Sequence, residues 1–267
     1  MPEPAPTKYA KIIEAIFRAH HKTGAKEVPF ERQELADTAA KLGIERPKNL
    51  GDIVYTFSAR APFPKSITSL APAGKEWVIR KKGRSAYCFA LVKEWSIEPN
   101  PLLLRIKVPD ATPGIINQYR LDDEQSLLAK LRYNRLIDIF TGLTCYSLQN
   151  HLRRGVRGIG QVETDELYVA VNRHGAHSVL PVQAKGGRDR MNVVQIEKDF
   201  ALCAQDFSAL TCRPIGAQFM ADDVIALFEF VLTDEGVALR NERHYQLVPP
   251  EEITASDLAT YRLPSAD

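Results

Sequence analysis

Charged side chains interrupt two otherwise apolar strand segments in residues 161–187, QVETDELYVAVNRHGAHSVLPVQAKGG, and any fold of this chain has to build its sheet around them. Side chains alternate between the two faces of a strand. Over residues 162–171 this sets Glu163 and Asp165 on one face and Thr164 and Glu166 on the other. Over residues 180–185 it sets Gln183 and Lys185 on one face and Val182 and Ala184 on the opposite one. Pairing the two strands around a turn at Asn172-Arg173-His174-Gly175 can bring Asp165, Gln183 and Lys185 together.

Those residue types suit phosphodiester hydrolysis. The reaction uses a divalent cation to polarise the phosphoryl group and activate water, and hard cations such as Mg²⁺ take carboxylate and carbonyl oxygens. Asp165 supplies the carboxylate, and either the Gln183 amide oxygen or the Ala184 carbonyl completes the shell. Lys185 can orient the attacking water or neutralise developing charge. Gly186 and Gly187 would let a nucleic-acid backbone approach closely. The structural alternative makes Glu163, Asp165 and Glu166 the solvated face of an edge strand, with Lys185 as a cross-strand ion-pair partner.

With Asp165 followed by Pro181-Val182-Gln183-Ala184-Lys185, the chain resembles the PD-(D/E)xK nuclease superfamily, in particular its Mrr-like branch, where glutamine replaces the second acid. The likeness covers roughly residues 120–205. Thr164 stands where the family usually has proline, so Glu163 and Asp165 both remain candidates for the principal ligand. The resemblance implies a restriction-endonuclease-like mixed sheet flanked by helices and Mg²⁺-dependent DNA cleavage. It further implies a catalytic set of Asp165, Gln183, Lys185, Glu163 and Glu124, with the metal held by Asp165, Gln183 and Glu163. Glu124 enters because a Glu on the helix before the motif strand often joins that site; the helix dipole is a plainer reason for acids there.

The flanks carry helical spacing. Leu127, Leu128, Leu131, Leu136, Ile137, Ile139 and Phe140 predict one amphipathic helix, and Val193, Val194, Ile196, Phe200 and Leu202 predict another after Lys185. Between the first helix and the acidic strand lie Arg153, Arg154 and Arg157, a basic run for phosphate or a solvated face. Arg188 and Arg190, directly after the glycines, are phosphate candidates because the guanidinium fork matches phosphate oxygens.

Residues 1–94 read as a separate domain. Helical segments begin at Tyr9, at Glu34 and at Asn49, and two apolar strands follow around Lys81-Lys82-Gly83-Arg84. Three helices and a hairpin with a basic tip resemble a winged helix-turn-helix, whose third helix enters the major groove while the wing touches the backbone. Lys48, Asn49, Tyr55, Ser58 and Arg60 are then the groove candidates, and Lys81, Lys82 and Arg84 the wing. Residues 1–95 hold 17 Lys+Arg against 10 Asp+Glu, a net of +7, whereas residues 201–267 hold 4 against 11, a net of −7. The whole-chain +2 hides this asymmetry, and a basic first domain suits phosphate contacts.

Prolines at 99, 101, 109 and 113 mark residues 95–118 as a linker with one strand at 102–108, leaving residues 119–267 for the nuclease-like domain. No apolar run is long enough to span a membrane, and the four cysteines show no metal spacing, so a cytoplasmic protein with buried thiols is expected. The expected fold class is α+β or α/β, a winged helix-turn-helix followed by a mixed-sheet nuclease core. The expected activity is sequence-specific cleavage of double-stranded DNA by a homodimer, alongside a DNA methyltransferase acting on the same site. The alternatives are a DNA-binding regulator with an inactive nuclease-like domain and a structure-specific repair or transposon nuclease.

Overall fold

Thr7 opens the first helix, α1 (Lys8–His20), by accepting a hydrogen bond from the Ala10 amide at 3.2 Å. Its Ile12, Ile13, Ile16 and Phe17 form the stripe that the rest of the N-terminal unit covers. The computed structural model describes residues 7–57, 61–83, 85–93, 97–119, 124–186, 191–234 and 236–262. Two units divide the chain, one of residues 1–96 with 155–161, the other of residues 97–154 with 162–267.

In the N-terminal unit α1 is followed by β1 (Glu27–Glu31), α2 (Arg32–Lys41), α3 (Gly51–Tyr55), α4 (Lys65–Thr68), β2 (Lys75–Lys81) and β3 (Ala86–Lys93). The strands form an antiparallel sheet in the order β1-β3-β2. β1 and α4 were not apparent in the sequence pattern; β1 is short and holds only two apolar residues, Val28 and Phe30, which alternate inward. Phe17 anchors the core, with its ring 5.0 Å from both Trp77 and Phe89 in edge-on contacts. The third helix is α-helical over Gly51–Tyr55 and continues as a π turn at Thr56 and Phe57, the last described residues of the segment that suggested it.

The second unit is built on a mixed sheet of eight strands. In chain order come β4 (Arg105–Pro109), α5 (Gly114–Tyr119), α6 (Glu124–Tyr133), α7 (Leu136–Thr141), β5 (Thr144–Val156), β6 (Gly160–Val171), β7 (His177–Lys185) and α8 (Val193–Asp206). They are followed by β8 (Thr211–Cys212), β9 (Ile215–Phe219), β10 (Val224–Thr233), β11 (Gly236–Val248) and α9 (Ala255–Tyr261). The strand order is β4-β11-β10-β9-β7-β6-β5, with β8 beside β7. β7 runs parallel to β8 and β9, β4 runs parallel to β11, and β10 is antiparallel to both β9 and β11. Leu180, Val182 and Ala184 of β7 pack in one core with Leu127, Leu128 and Leu131 of α6 and Leu136, Ile137 and Phe140 of α7. Alternation turns Val179, Pro181 and Gln183 to the opposite face, where α8 lies.

Two expectations change here. The strand expected at 102–108 is β4, and because it pairs with β11, Ile106 opposite Tyr245, the stretch from residue 97 belongs to the second unit and is not a linker. The prolines flank its elements: Pro109 ends β4 and Pro113 precedes α5. The single helix expected over residues 125–140 is two, broken where Arg135 takes a left-handed φ of 49°. Buried Asn134 fills the break. Its Oδ1 accepts from Ala111 N at 2.7 Å, and its Nδ2 donates to Thr112 Oγ1 at 2.9 Å and to the Lys130 carbonyl at 3.0 Å. Ile139, counted in the apolar stripe, is 50% exposed as a result.

Asn134→Ala leaves the Ala111 amide without its partner in a partly buried position, a loss of about 1–3 kcal/mol. Urea unfolding of the full chain should therefore show a lower midpoint for Asn134→Ala than for Ile139→Ala at the exposed site. Equal midpoints would remove Asn134 as the joint between α6 and α7.

Candidate functional site

The last registered pair of β6 and β7 is Glu166 with Val182; beyond it the strands part and side chains take over the ladder. The Ala184 amide donates to Asp165 Oδ2 at 2.8 Å, and Gln183 Nε2 donates to the Glu163 carbonyl at 3.2 Å. Strict alternation fails in β6 at this point. Thr164 turns to α8, donating from Oγ1 to Asp199 Oδ1 at 2.6 Å, while Glu166 lies 3.6 Å from Arg132 of α6. The expected pairing of faces, Glu163 with Asp165 and Thr164 with Glu166, is thereby lost. It assumed a regular strand where the ladder has already ended.

Lys185 Nζ lies 3.0 Å from Glu124 Oε1, at the first residue of α6. The ammonium end is mostly buried and the carboxylate partly so, with 12% and 38% of their side chains exposed. Asp165 is half-buried in the same neighbourhood. Burial raises its pKa most; the Ala184 amide and Lys185 pull it back, and Glu124 raises it further. Three of the five residues expected at the site, Asp165, Lys185 and Glu124, thus come together from β6, β7 and α6.

The other two do not join them. Gln183 is buried, and its amide nitrogen donates to Asp199 Oδ2 at 2.9 Å on the α8 face. Glu163 is exposed and receives the Arg153 guanidinium on its Oε1, at 3.0 Å from Nε and 2.8 Å from Nη2. Arg154 of the same basic run pairs with Asp206 at 3.1 Å. Cross-strand and inter-element ion pairs therefore occupy two arginines that the sequence offered for phosphate.

Sequence reasoning missed Asp199 and His151. Asp199 is wholly buried between Thr164 and Gln183, and burial pushes its pKa up to about 7. Its position in the apolar pattern after Lys185 was the only available sign, since a strongly helical stripe seldom carries an acid on its buried side. His151 sits in β5 with a left-handed φ of 48°, and its Nε2 is 2.9 Å from Gln125 Nε2, next to Glu124. Its charge acts on Asp165 in the direction opposite to that of Glu124.

Among the described residues no group of three or more His, Cys, Asp or Glu side chains is arranged to hold a metal. Asp165 and Glu124 are the carboxylates that could bind a divalent cation here. Their donor chemistry fits Mg²⁺, which commonly takes one or two carboxylates and fills its shell with water and phosphate oxygens. Gln183 and Glu163, expected as ligands, are engaged elsewhere.

In the N-terminal unit Lys48 and Lys81 are exposed and Tyr55 is half exposed. Asn49 is used inside the fold. Its Oδ1 accepts from Gly51 N at 3.0 Å and its Nδ2 donates to Asp52 Oδ1 at 2.8 Å, closing the turn into α3. Lys82 pairs with Glu27 at 2.8 Å. Ser58, Arg60, Arg84, Arg188 and Arg190 lie outside the described residues. Comparison with protein-family models, with curated proteins and with solved structures finds no match for this chain.

Asp199 gives a pH dependence of known sign. Its folded pKa of about 7 lies above the unfolded carboxylate value, so its stabilising protonated state is lost to folding as pH rises through the window. Between roughly pH 4 and the folded pKa, each pH unit removes about 1.4 kcal/mol of folding stability through this one group. Asp199→Asn removes that titration, so unfolding curves should show the variant gaining on the parent as pH rises across the window. A constant difference between the two would show that Asp199 does not titrate in this way.

Proposed function

We propose that the chain is an endonuclease of restriction type that hydrolyses double-stranded DNA with Mg²⁺. One observation carries this: Asp165, Lys185 and Glu124 converge from two adjacent strands and a helix start, at the point where those strands part. On this reading the second unit is a PD-(D/E)xK-like domain, supported by a mixed sheet with α6 and α7 on one face and α8 on the other. The N-terminal unit is a winged helix that binds the duplex. The chain order α1-β1-α2-α3, then β2-β3, and the sheet order β1-β3-β2 support it.

Asp165 and Glu124 would hold the Mg²⁺, which supplies Lewis acidity toward the phosphoryl group when bound. Lys185 donates toward phosphoryl oxygens and offsets the negative charge that builds as the bond breaks. The Ala184 amide fixes the Asp165 carboxylate, so the acid enters the site in a defined rotamer. A homodimer would present one such site to each strand of the duplex, acting in the cytoplasm beside a DNA methyltransferase of the same specificity.

A second reading, a DNA-binding regulator with an inactive nuclease-like domain, is favoured by the engagement of Gln183 with Asp199 and of Glu163 with Arg153. Incubating purified protein and Lys185→Ala with unmethylated phage DNA, in Mg²⁺ or in EDTA, separates the two. The expected result is discrete fragments in Mg²⁺ alone, with the variant slower by about 10²–10³-fold. Retention of DNA in a mobility shift with no cutting by either protein would favour the regulator.

A further inference from the structure

A concavity in the N-terminal unit gathers three cations. It has a volume of about 380 Å³, and Arg32, Arg46, Lys48 and Ser85 are on its walls. Arg32 is the first residue of α2, Arg46 and Lys48 precede α3, and Ser85 belongs to the turn between β2 and β3, so three separate stretches of chain build it. One hydrogen bond ties two of them: the Arg32 amide donates to the Ser85 carbonyl at 2.7 Å.

The cations outnumber the acids on the wall. Arg32, Arg46 and Lys48 make no side-chain ion pair or hydrogen bond among the described residues, where arginines such as Arg153, Arg154 and Arg213 each have a carboxylate. Glu31 is on the wall too, but its carboxylate accepts the backbone N–H at the third position of α2. Glu34 returns the bond to the Glu31 amide at 2.8 Å and also contacts His20. The start of α2 is therefore capped by its own acids, and the charged groups lining the concavity are two guanidinium forks and an ammonium against the single carboxylate of Glu31. Guanidinium forks match the tetrahedral oxygens of phosphate, and the ammonium adds a point charge.

We propose that this concavity is a phosphate-binding pocket, with Arg32, Arg46 and Lys48 as its ligands. The phosphate group is either a diester of a DNA backbone or part of a free polyphosphate. The first source deepens the duplex-binding reading of this unit, and the second is independent of it. Neither needs DNA cleavage.

The test uses the full chain in EDTA, with Arg46→Gln, Lys48→Gln and the double variant, all at exposed positions and checked for unchanged melting. Binding of a fluorescent duplex is followed against salt, and binding of inorganic pyrophosphate by calorimetry; Lys81→Gln, outside the pocket, is the control. A DNA source predicts that each neutralised cation weakens binding equally on unrelated duplexes and lowers the log–log salt slope by about one. A free source predicts that pyrophosphate binds the parent and not the double variant, with the duplex slope unmoved. If neither quantity responds to the pocket variants, the pocket is overturned. A duplex slope that falls for Lys81→Gln alone would then leave duplex binding by this unit standing without it.

Discussion

A buried carboxyl holds the two strands that carry the candidate chemistry. To present Asp165 and Lys185 the sheet has to open between β6 and β7, and an opened ladder leaves backbone groups that cost about 1–3 kcal/mol each if buried without partners. Here side chains satisfy them. Asp165 takes the Ala184 amide, Gln183 takes the Glu163 carbonyl, and Asp199 ties Thr164 of one strand to Gln183 of the other. Asp199 bears the electrostatic cost. An ionised carboxylate in that position lacks a cation in contact, so it keeps its proton to about pH 7. This arrangement also explains why Gln183 faces away from Lys185: its amide is part of the scaffold.

The N-terminal unit applies a different rule to its charges. Acids near the start of α2 are consumed by the helix itself through the reciprocal bonds of Glu31 and Glu34, and the glutamate at 27 is taken by Lys82. The unit carries a net +7 over residues 1–95, and among its described residues some cations have no carboxylate partner. Arg32, Arg46 and Lys48 are three of them, and they sit in one concavity because α2, the loop before α3 and the β2–β3 turn meet there.

Much of the fold was legible because periodicity is local. The stripe of α1, the hairpin around Lys82-Gly83, the strands β6 and β7 and the helix α8 all follow from spacing that neighbours in sequence impose. What was not legible depends on contacts made at a distance. That β4 joins the large sheet depends on the edge that β11 offers it, and the α6–α7 break exists because Asn134 has Ala111 and Thr112 to bond. At the site, residue types were enough to single out Asp165 and Lys185, and the resemblance added Glu124. They were not enough to separate Gln183 and Glu163 from that group, since a one-residue irregularity in a strand moves side chains to the other face. Asp199 and His151 were invisible for the same reason: one lies on a helix behind the sheet, the other in a strand whose backbone turns at that residue.

The acidic end of the chain, net −7 over residues 201–267, finds its cations within the second unit. Asp222 pairs with Arg105 and Asp257 with Lys107, both on β4, while Asp223 meets Lys130 of α6 and Glu229 meets Arg213. Lys130 is almost fully buried, so its pairing with Asp223 matters more than a surface contact would. These bridges tie β4 to the β9–β10 turn and to α9, α6 to the same turn, and β10 to the segment before β9. The two ends of the chain are therefore charged for different physical reasons. The acids bridge elements of one unit, whereas the cations of the pocket have no ion-pair partner among the described residues.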